Sequence, residues 1–239
     1  MSDRMRLDKA LSQRGIGTRS VVRKLIRSGR VSVDGAVCKQ SAQWVTKDSE
    51  LRVDDVLVRA LPTVIVWHKP WGVVSTMRDP HGRHDLADVL PPEYREHFHP
   101  VGRLDAETTG LLLFSRVGGL TQWMLHPKRA LERRYEARVE GEPGPELIER
   151  LSAGVETSIG TFSADVEAVE SDLVRLGVRE GKHRMVRRIL ANSGHPVVHL
   201  HRISYGPFEL RDLEEGLTRE ASPEELGWLE AHGAPLSDS

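Results

Sequence analysis

The sequence predicts an α+β protein made of a small basic N-terminal unit and a larger mixed domain built on a large sheet. Three observations carry this. Residues 1–60 read as two short helices followed by hairpin signals. From residue 63 onward, short strand-like segments alternate with helical stretches around the continuous apolar run Leu111-Leu112-Leu113-Phe114. Leu61-Pro62 between them has the composition of a linker.

In the first unit, Leu7, Ala10 and Leu11 lie at helical spacing, and Gly15-Ile16-Gly17 ends that helix. Thr18 or Ser20 can cap a second helix, whose apolar stripe is Val21, Val22, Leu25 and Ile26. Arg19, Arg23, Arg27 and Arg30 recur every three to four residues, so a continuous helix would place them on one face. Val31-Ser32-Val33 alternates, Asp34-Gly35 is a strong two-residue hairpin signal, and Ala36-Val37 resumes. Leu51, Val53, Val56 and Val58 mark another short strand pair.

In the second unit, Thr63 to Trp67 is an apolar strand, His68 to Gly72 a turn and Val73 to Thr76 a resumed strand. The Leu111–Phe114 run reads as a strand buried on both faces, and Tyr135 to Val139 alternates like a half-buried one. Pro145 to Leu151 and Met185 to Ala191 read as helices, the second with Gly194 near its end. Nothing in this order demands parallel crossovers.

The 239 residues are 38% hydrophobic and 29% charged, an ordinary globular composition long enough to bury a core. No apolar run approaches a membrane span, and the first residues lack the apolar stretch of a secretory signal. The single cysteine, Cys38, excludes an internal disulfide and a cysteine-based zinc site, and it fits a reducing cytoplasm. Net charge is −1, yet the basic residues are unevenly placed. Residues 1–30 carry nine Lys/Arg against two acids, and residues 179–202 carry six against Glu180 alone. Two basic segments in a neutral chain are either solvated helix faces or the footprint of a polyanion partner.

Chemistry concentrates in Pro100-Val101-Gly102-Arg103-Leu104-Asp105-Ala106-Glu107-Thr108-Thr109-Gly110, which leads into the apolar run. An Asp at the mouth of a core needs a cation, because an unpaired buried carboxylate is costly. Arg103, Lys182 and Arg187 are the candidates. The alternative is an Asp105 side chain that caps the turn at Thr108 or Thr109.

Gly102-Arg103-Leu104-Asp105 followed by Glu107-Thr108-Thr109-Gly110-Leu111-Leu112-Leu113 resembles the signature of pseudouridine synthases that modify ribosomal RNA at single sites. Lys69-Pro70-Trp71-Gly72-Val73-Val74-Ser75-Thr76 is similar to the family's first motif. Arg133-Arg134-Tyr135 resembles its lysine-x-tyrosine motif, and Glu180 to Arg188 its third motif, trailed by Gly194-His195-Pro196-Val197. The family's acidic residue before Gly118 is replaced by Val117, so a different local turn is expected there. Arg6 to Lys9 and Ser20 to Gly35 resemble the alpha-L RNA-binding module named after ribosomal protein S-four.

The resemblance implies an alpha-L module at 1–60 and a catalytic domain at 63–239 with a large mixed, mostly antiparallel sheet. It implies isomerisation of a specific uridine without a cofactor or metal, in ribosomal RNA that is either free or in a pre-ribosomal particle. It implies further a monomer in the cytoplasm with no membrane partner. Asp105 would be the catalytic carboxylate, attacking C1′ or removing the C2′ proton, and Tyr135 would stack on the detached uracil. Lys182 would be the cation beside Asp105, with Arg187 second. Arg103 would contact RNA, and Arg19, Arg23, Arg27 and Arg30 would face its phosphates.

Leu131 to Tyr135 and Val186-Arg187-Arg188 resemble large-subunit enzymes more closely, whereas the short chain and Met5 to Lys9 resemble the small-subunit enzyme too. The balance points to large-subunit RNA. The clustered His195, His199 and His201 have no acidic or cysteine neighbour and read as packing or RNA contacts. The rival function is a non-catalytic RNA-binding assembly factor. A methyltransferase is disfavoured, since no glycine-rich cofactor loop follows a strand.

Overall fold

A computed structural model describes residues 4–237, apart from the side chain of Glu93. The chain divides into two compact units between Pro62 and Thr63.

In the first unit, helices Leu7–Gln13 and Arg19–Arg27 pack on a four-stranded antiparallel sheet. Its strand order is Ala36–Val37, Val31–Val33, Leu51–Val53, Val56–Leu57. Leu7, Leu11, Val22, Ile26, Val31 and Leu51 are fully buried and form its core. Thr18 caps the second helix by accepting from the Val21 amide. Val21 itself is exposed, so the helix buries a narrower stripe than its spacing predicts. Asp34 and Gly35 both adopt positive φ, 49° and 83°, as a two-residue hairpin turn requires.

The second unit is built on a nine-stranded sheet. Its main path runs Asp165–Glu170, Leu173–Val178, Arg133–Val139, Val197–Tyr205, Thr108–Ser115, Val64–Lys69, Thr218–Glu220. Every pairing along it is antiparallel except that of Val197–Tyr205 with Thr108–Ser115, which is parallel. Helix Met185–Asn192 joins Leu173–Val178 to Val197–Tyr205, which run in the same direction on either side of Arg133–Val139, a crossover that the apolar spacing alone does not reveal. All eight residues of Thr108–Ser115 are buried, as the unbroken apolar run predicts. Arg133–Val139 alternates buried and accessible positions.

Val73–Thr76 does not form the expected strand. Only Val74 makes an isolated bridge, to Asp85, because Ser75 is drawn toward the loop at Leu104 instead. Val117 occupies the N-cap of helix Gly118–Leu125 without a side-chain cap and is buried in the core. Ser115 Oγ takes up the slack, accepting from the Val117 amide at 3.0 Å.

Candidate active site

Asp105 sits in the loop just before strand Thr108–Ser115. That turn is closed by the backbone: the Thr108 amide donates to the Asp105 carbonyl at 3.0 Å. The Asp105 carboxylate therefore does not cap the turn, and it accepts no hydrogen bond from the described residues. The basic side chains nearest it are Arg184 through Nη1 and His183 through Nε2, each at 3.9 Å, and its side chain is 26% exposed.

Two devices hold this loop. Ser75 Oγ donates to the Leu104 carbonyl at 2.7 Å and accepts from the Leu104 amide at 3.0 Å. Lys69, fully buried at the end of its strand, donates through Nζ to the carbonyls of Pro70, Ala106 and Thr108 at 2.9, 3.3 and 2.9 Å. Burial pushes the Lys69 ammonium down to about 8, against the upward pull of Asp105 and Glu215. Both residues belong to the 69–76 motif, but their roles depend on contacts 29 to 39 residues away.

Asp105 lines a cavity of about 330 Å³ together with Tyr135, Lys182, Arg103 and the apolar side chains of Leu104, Val178, Val186 and Leu200. Tyr135 is supplied by the central strand Arg133–Val139, where its register partners are Leu176 and Arg202. Its hydroxyl makes no hydrogen bond among the described residues. Below it, Tyr205 is locked by Arg133, whose Nη2 donates to the Tyr205 hydroxyl at 2.9 Å and whose guanidinium lies 4.4 Å from the ring centre. Tyr205 in turn donates to the Met124 carbonyl at 2.9 Å. Arg133 is thus a floor residue of the pocket, a role that the motif position alone does not show.

The two candidate cations, Lys182 and Arg187, stand in different surroundings. Lys182 is an exposed wall residue and forms no ion pair with Asp105 among the described residues. Arg187 is buried. Its Nη1 donates to the Val197 carbonyl at 3.2 Å and its Nη2 to the Glu107 carbonyl at 2.9 Å, while its Nε has no described partner. Burial and then the charge of Arg184 push the Arg187 guanidinium down, while Glu107 and Asp105 pull it up. Arg184, at φ 54°, also pairs with Glu107 at 3.1 Å. His183 and Arg184 face Asp105 although neither was singled out from the sequence. Arg103 is exposed at the cavity mouth.

On the N-terminal unit, three of the four arginines Arg19, Arg23, Arg27 and Arg30 are held in ion pairs. Asp8, with no exposed surface, gathers Arg23 at 2.8 Å, Arg6 at 3.1 Å and Arg19 at 3.3 Å. Burial pushes its carboxyl up, but hydrogen bonds from Arg23, Arg6 and Arg19 outweigh that and hold it far below the usual carboxylate range. Arg30 lies beyond the helix end and pairs with Asp54. Among the described residues only Arg27 of the four is exposed without an ion pair. The histidines His199 and His201 meet Thr109 Oγ1 at 3.3 and 2.8 Å, and the described residues contain no group of three or more His, Cys, Asp or Glu placed to hold a metal ion.

The sequence pattern of the RNA pseudouridylate synthase family matches residues 63–227, and that of the S4 domain matches residues 5–50. The chain is 33% identical to ribosomal large subunit pseudouridine synthase B of Bacillus subtilis (strain 168), covering 95% of this chain and 96% of that protein. It is 37% identical to an uncharacterized RNA pseudouridine synthase of Mycobacterium leprae (strain TN), covering 94% and 92%. A crystal structure of a pseudouridylate synthase is similar with a TM-score of 0.64 at 27% identity, covering 93% of this chain and 98% of the other.

Proposed function

Because the chain belongs to the RNA pseudouridylate synthase family, we propose that it isomerises a uridine of large-subunit ribosomal RNA to pseudouridine, with Asp105 acting at the ribose. The observation that carries this reading is one cavity joining an Asp105 carboxylate free of hydrogen bonds to the Tyr135 ring and a wall of apolar side chains.

The reaction breaks the N1–C1′ bond, turns the uracil and forms a C5–C1′ bond. The C5 proton leaves and N1 ends protonated, so atoms balance and no co-reactant is consumed. Asp105 acts in its ionised form, whether at C1′ or at the C2′ proton. Arg184 Nη1 lies 3.9 Å from its carboxylate. Leu104, Val178, Val186 and Leu200 exclude water around the base while its bond is open. Tyr135 supplies the stacking face.

Arg184, at 3.9 Å from the carboxylate, shares the charge-partner role with the buried Arg187, and the exposed Lys182 contacts RNA phosphate. Arg103, at the mouth, contacts the backbone of the RNA from which the uridine is extruded, at roughly a few kcal/mol of unstacking. The S4 module adds a sequence-independent grip, with Arg27 its freest cation. The enzyme acts as a cytoplasmic monomer on free or pre-ribosomal RNA, and no described helix is long and apolar enough to cross a membrane.

Mapping pseudouridines in ribosomal RNA from cells with and without this protein tests the reading. One large-subunit uridine is expected to lose its modification. A change confined to small-subunit RNA would overturn the subunit assignment, and an unchanged map would overturn the activity.

A further inference from the structure

A second cavity, of about 430 Å³, opens on the catalytic unit away from Asp105. It is built by two consecutive elements, a helix and a 3-10 turn, together with the end of the last helix. Helix Gly118–Leu125 supplies Trp123, the 3-10 turn Pro127–Arg129 supplies Lys128 and Arg129, and the end of helix Pro223–Ala231 supplies Trp228 and His232. Gly206-Pro207 closes one side. Each tryptophan is half-buried against the core and carries a flat cationic or titratable group on its ring. The Arg129 guanidinium lies 4.5 Å from the Trp123 ring centre. His232 stacks on Trp228 at 3.7 Å and 20°, with its Nδ1 2.7 Å from the Trp228 carbonyl. The outer layer of both stacks, Arg129 and His232, is exposed. Glu132, the acid of this wall, is already bridged by Arg134 and Arg179, which leaves the site basic.

The cavity is continuous in its walls with the active site. An intervening concavity shares Ala130 and Leu131 with it, and shares Arg133, Glu180, Gly181 and Lys182 with the Asp105 pocket. Flat guanidinium and imidazole groups held over aromatic rings are surfaces on which unpaired RNA bases stack, and adjacent lysine and arginine charges suit the phosphates between bases. The proposed mechanism does not use any of these groups.

We propose that the Trp123–Arg129 and Trp228–His232 stacks form an accessory binding site for a second, unpaired nucleobase of the RNA substrate, near the target uridine along the strand. This rests on the reading of the chain as an RNA pseudouridine synthase. The site would hold the strand on one side of the extruded uridine and contribute to which uridine is chosen.

The test measures pseudouridine formation on a ribosomal RNA fragment containing the mapped target. Wild type is compared with Arg129→Ala, Arg129→Lys and His232→Ala, all at exposed positions whose loss leaves the core intact. Arg129→Ala and His232→Ala are expected to raise KM about 5- to 150-fold, following roughly 1–3 kcal/mol per stacked base, with kcat unchanged. Arg129→Lys keeps the charge but not the plane and is expected to remain weakened. Fragments abasic at successive positions around the target should include one that reproduces the Arg129→Ala defect and is not worsened further by that variant. Unchanged KM in both alanine variants, full rescue by Arg129→Lys, or the absence of such an abasic position would each overturn the proposal. Failure of wild type to form pseudouridine on the fragment would instead overturn the activity on which it rests.

Discussion

Substituting Gly110 by alanine should destabilise the catalytic unit severely, and the structure supplies both terms of the cost. Gly110 has φ 100°, a region that L side chains rarely adopt. It lies in the buried strand opposite Arg202 of the parallel neighbour. An added Cβ would meet the Arg202 backbone carbonyl oxygen at 2.3 Å, its nitrogen at 2.7 Å and its carbonyl carbon at 2.9 Å. Backbone atoms of a central strand cannot swing aside as a side-chain tip can. Backbone strain of about 1–3 kcal/mol and overpacking of about 1–3 kcal/mol together give roughly 2–6 kcal/mol. That is a large share of the about 5–15 kcal/mol that holds a typical domain folded. Gly118→Ala is the control: nothing lies within 4 Å of its Cβ and its φ is ordinary, so it should be neutral or stabilising by up to about 1 kcal/mol. Urea unfolding followed by tryptophan emission reads mainly this unit, because four of the five tryptophans, Trp67, Trp71, Trp123 and Trp228, belong to it, while the exposed Trp44 belongs to the other. A Gly110→Ala loss below about 0.5 kcal/mol, at the level of a surface substitution, would refute the reasoning.

Other consequences concern charge. Lys69 keeps its proton below about 8, so its loop-holding donors weaken as pH rises through that value. The rate on saturating RNA should fall along that limb, and Lys69→Met should be slow at all pH values and lack it. Arg187→Met should lower kcat far more than affinity, whereas Lys182→Met should mainly weaken binding and reduce the salt slope; equal effects would undo the division of roles argued from their burial. On the S4 module, Arg27→Ala should reduce the slope of log affinity against log salt by about 0.7–0.9 with little change in stability. Asp8→Asn should instead destabilise the module by about 1–3 kcal/mol through the lost charge-assisted bonds, read by its urea transition.

Much of the fold was legible because it is local. The Asp34-Gly35 turn, the Thr18 cap and the Leu111–Phe114 strand each depend on a few adjacent residues. What stayed hidden depends on contacts distant in sequence. Arg19 and Arg23 look like free phosphate ligands until Asp8, 11 and 15 residues earlier, is seen buried beneath them. Val73–Thr76 has strand composition, yet Ser75 is recruited to Leu104, 29 residues on. Resemblance to the family motif placed Lys182 and Arg187 together but could not show that Arg187 is buried while Lys182 meets water. The stacking of Arg133 on Tyr205, 72 residues apart, is invisible for the same reason.

The central claim is that Asp105 acts chemically on a uridine of ribosomal RNA. Forming the C5–C1′ bond expels the hydrogen at C5, so ribosomal RNA carrying tritium at uracil C5 reports each turnover as tritium released to water. Wild-type protein should release tritium in an amount equal to the target uridine, while Asp105→Asn should bind the same RNA with similar affinity and release none. Release by the Asn variant above a protein-free control, or no release by the wild type from any ribosomal RNA, would contradict the account.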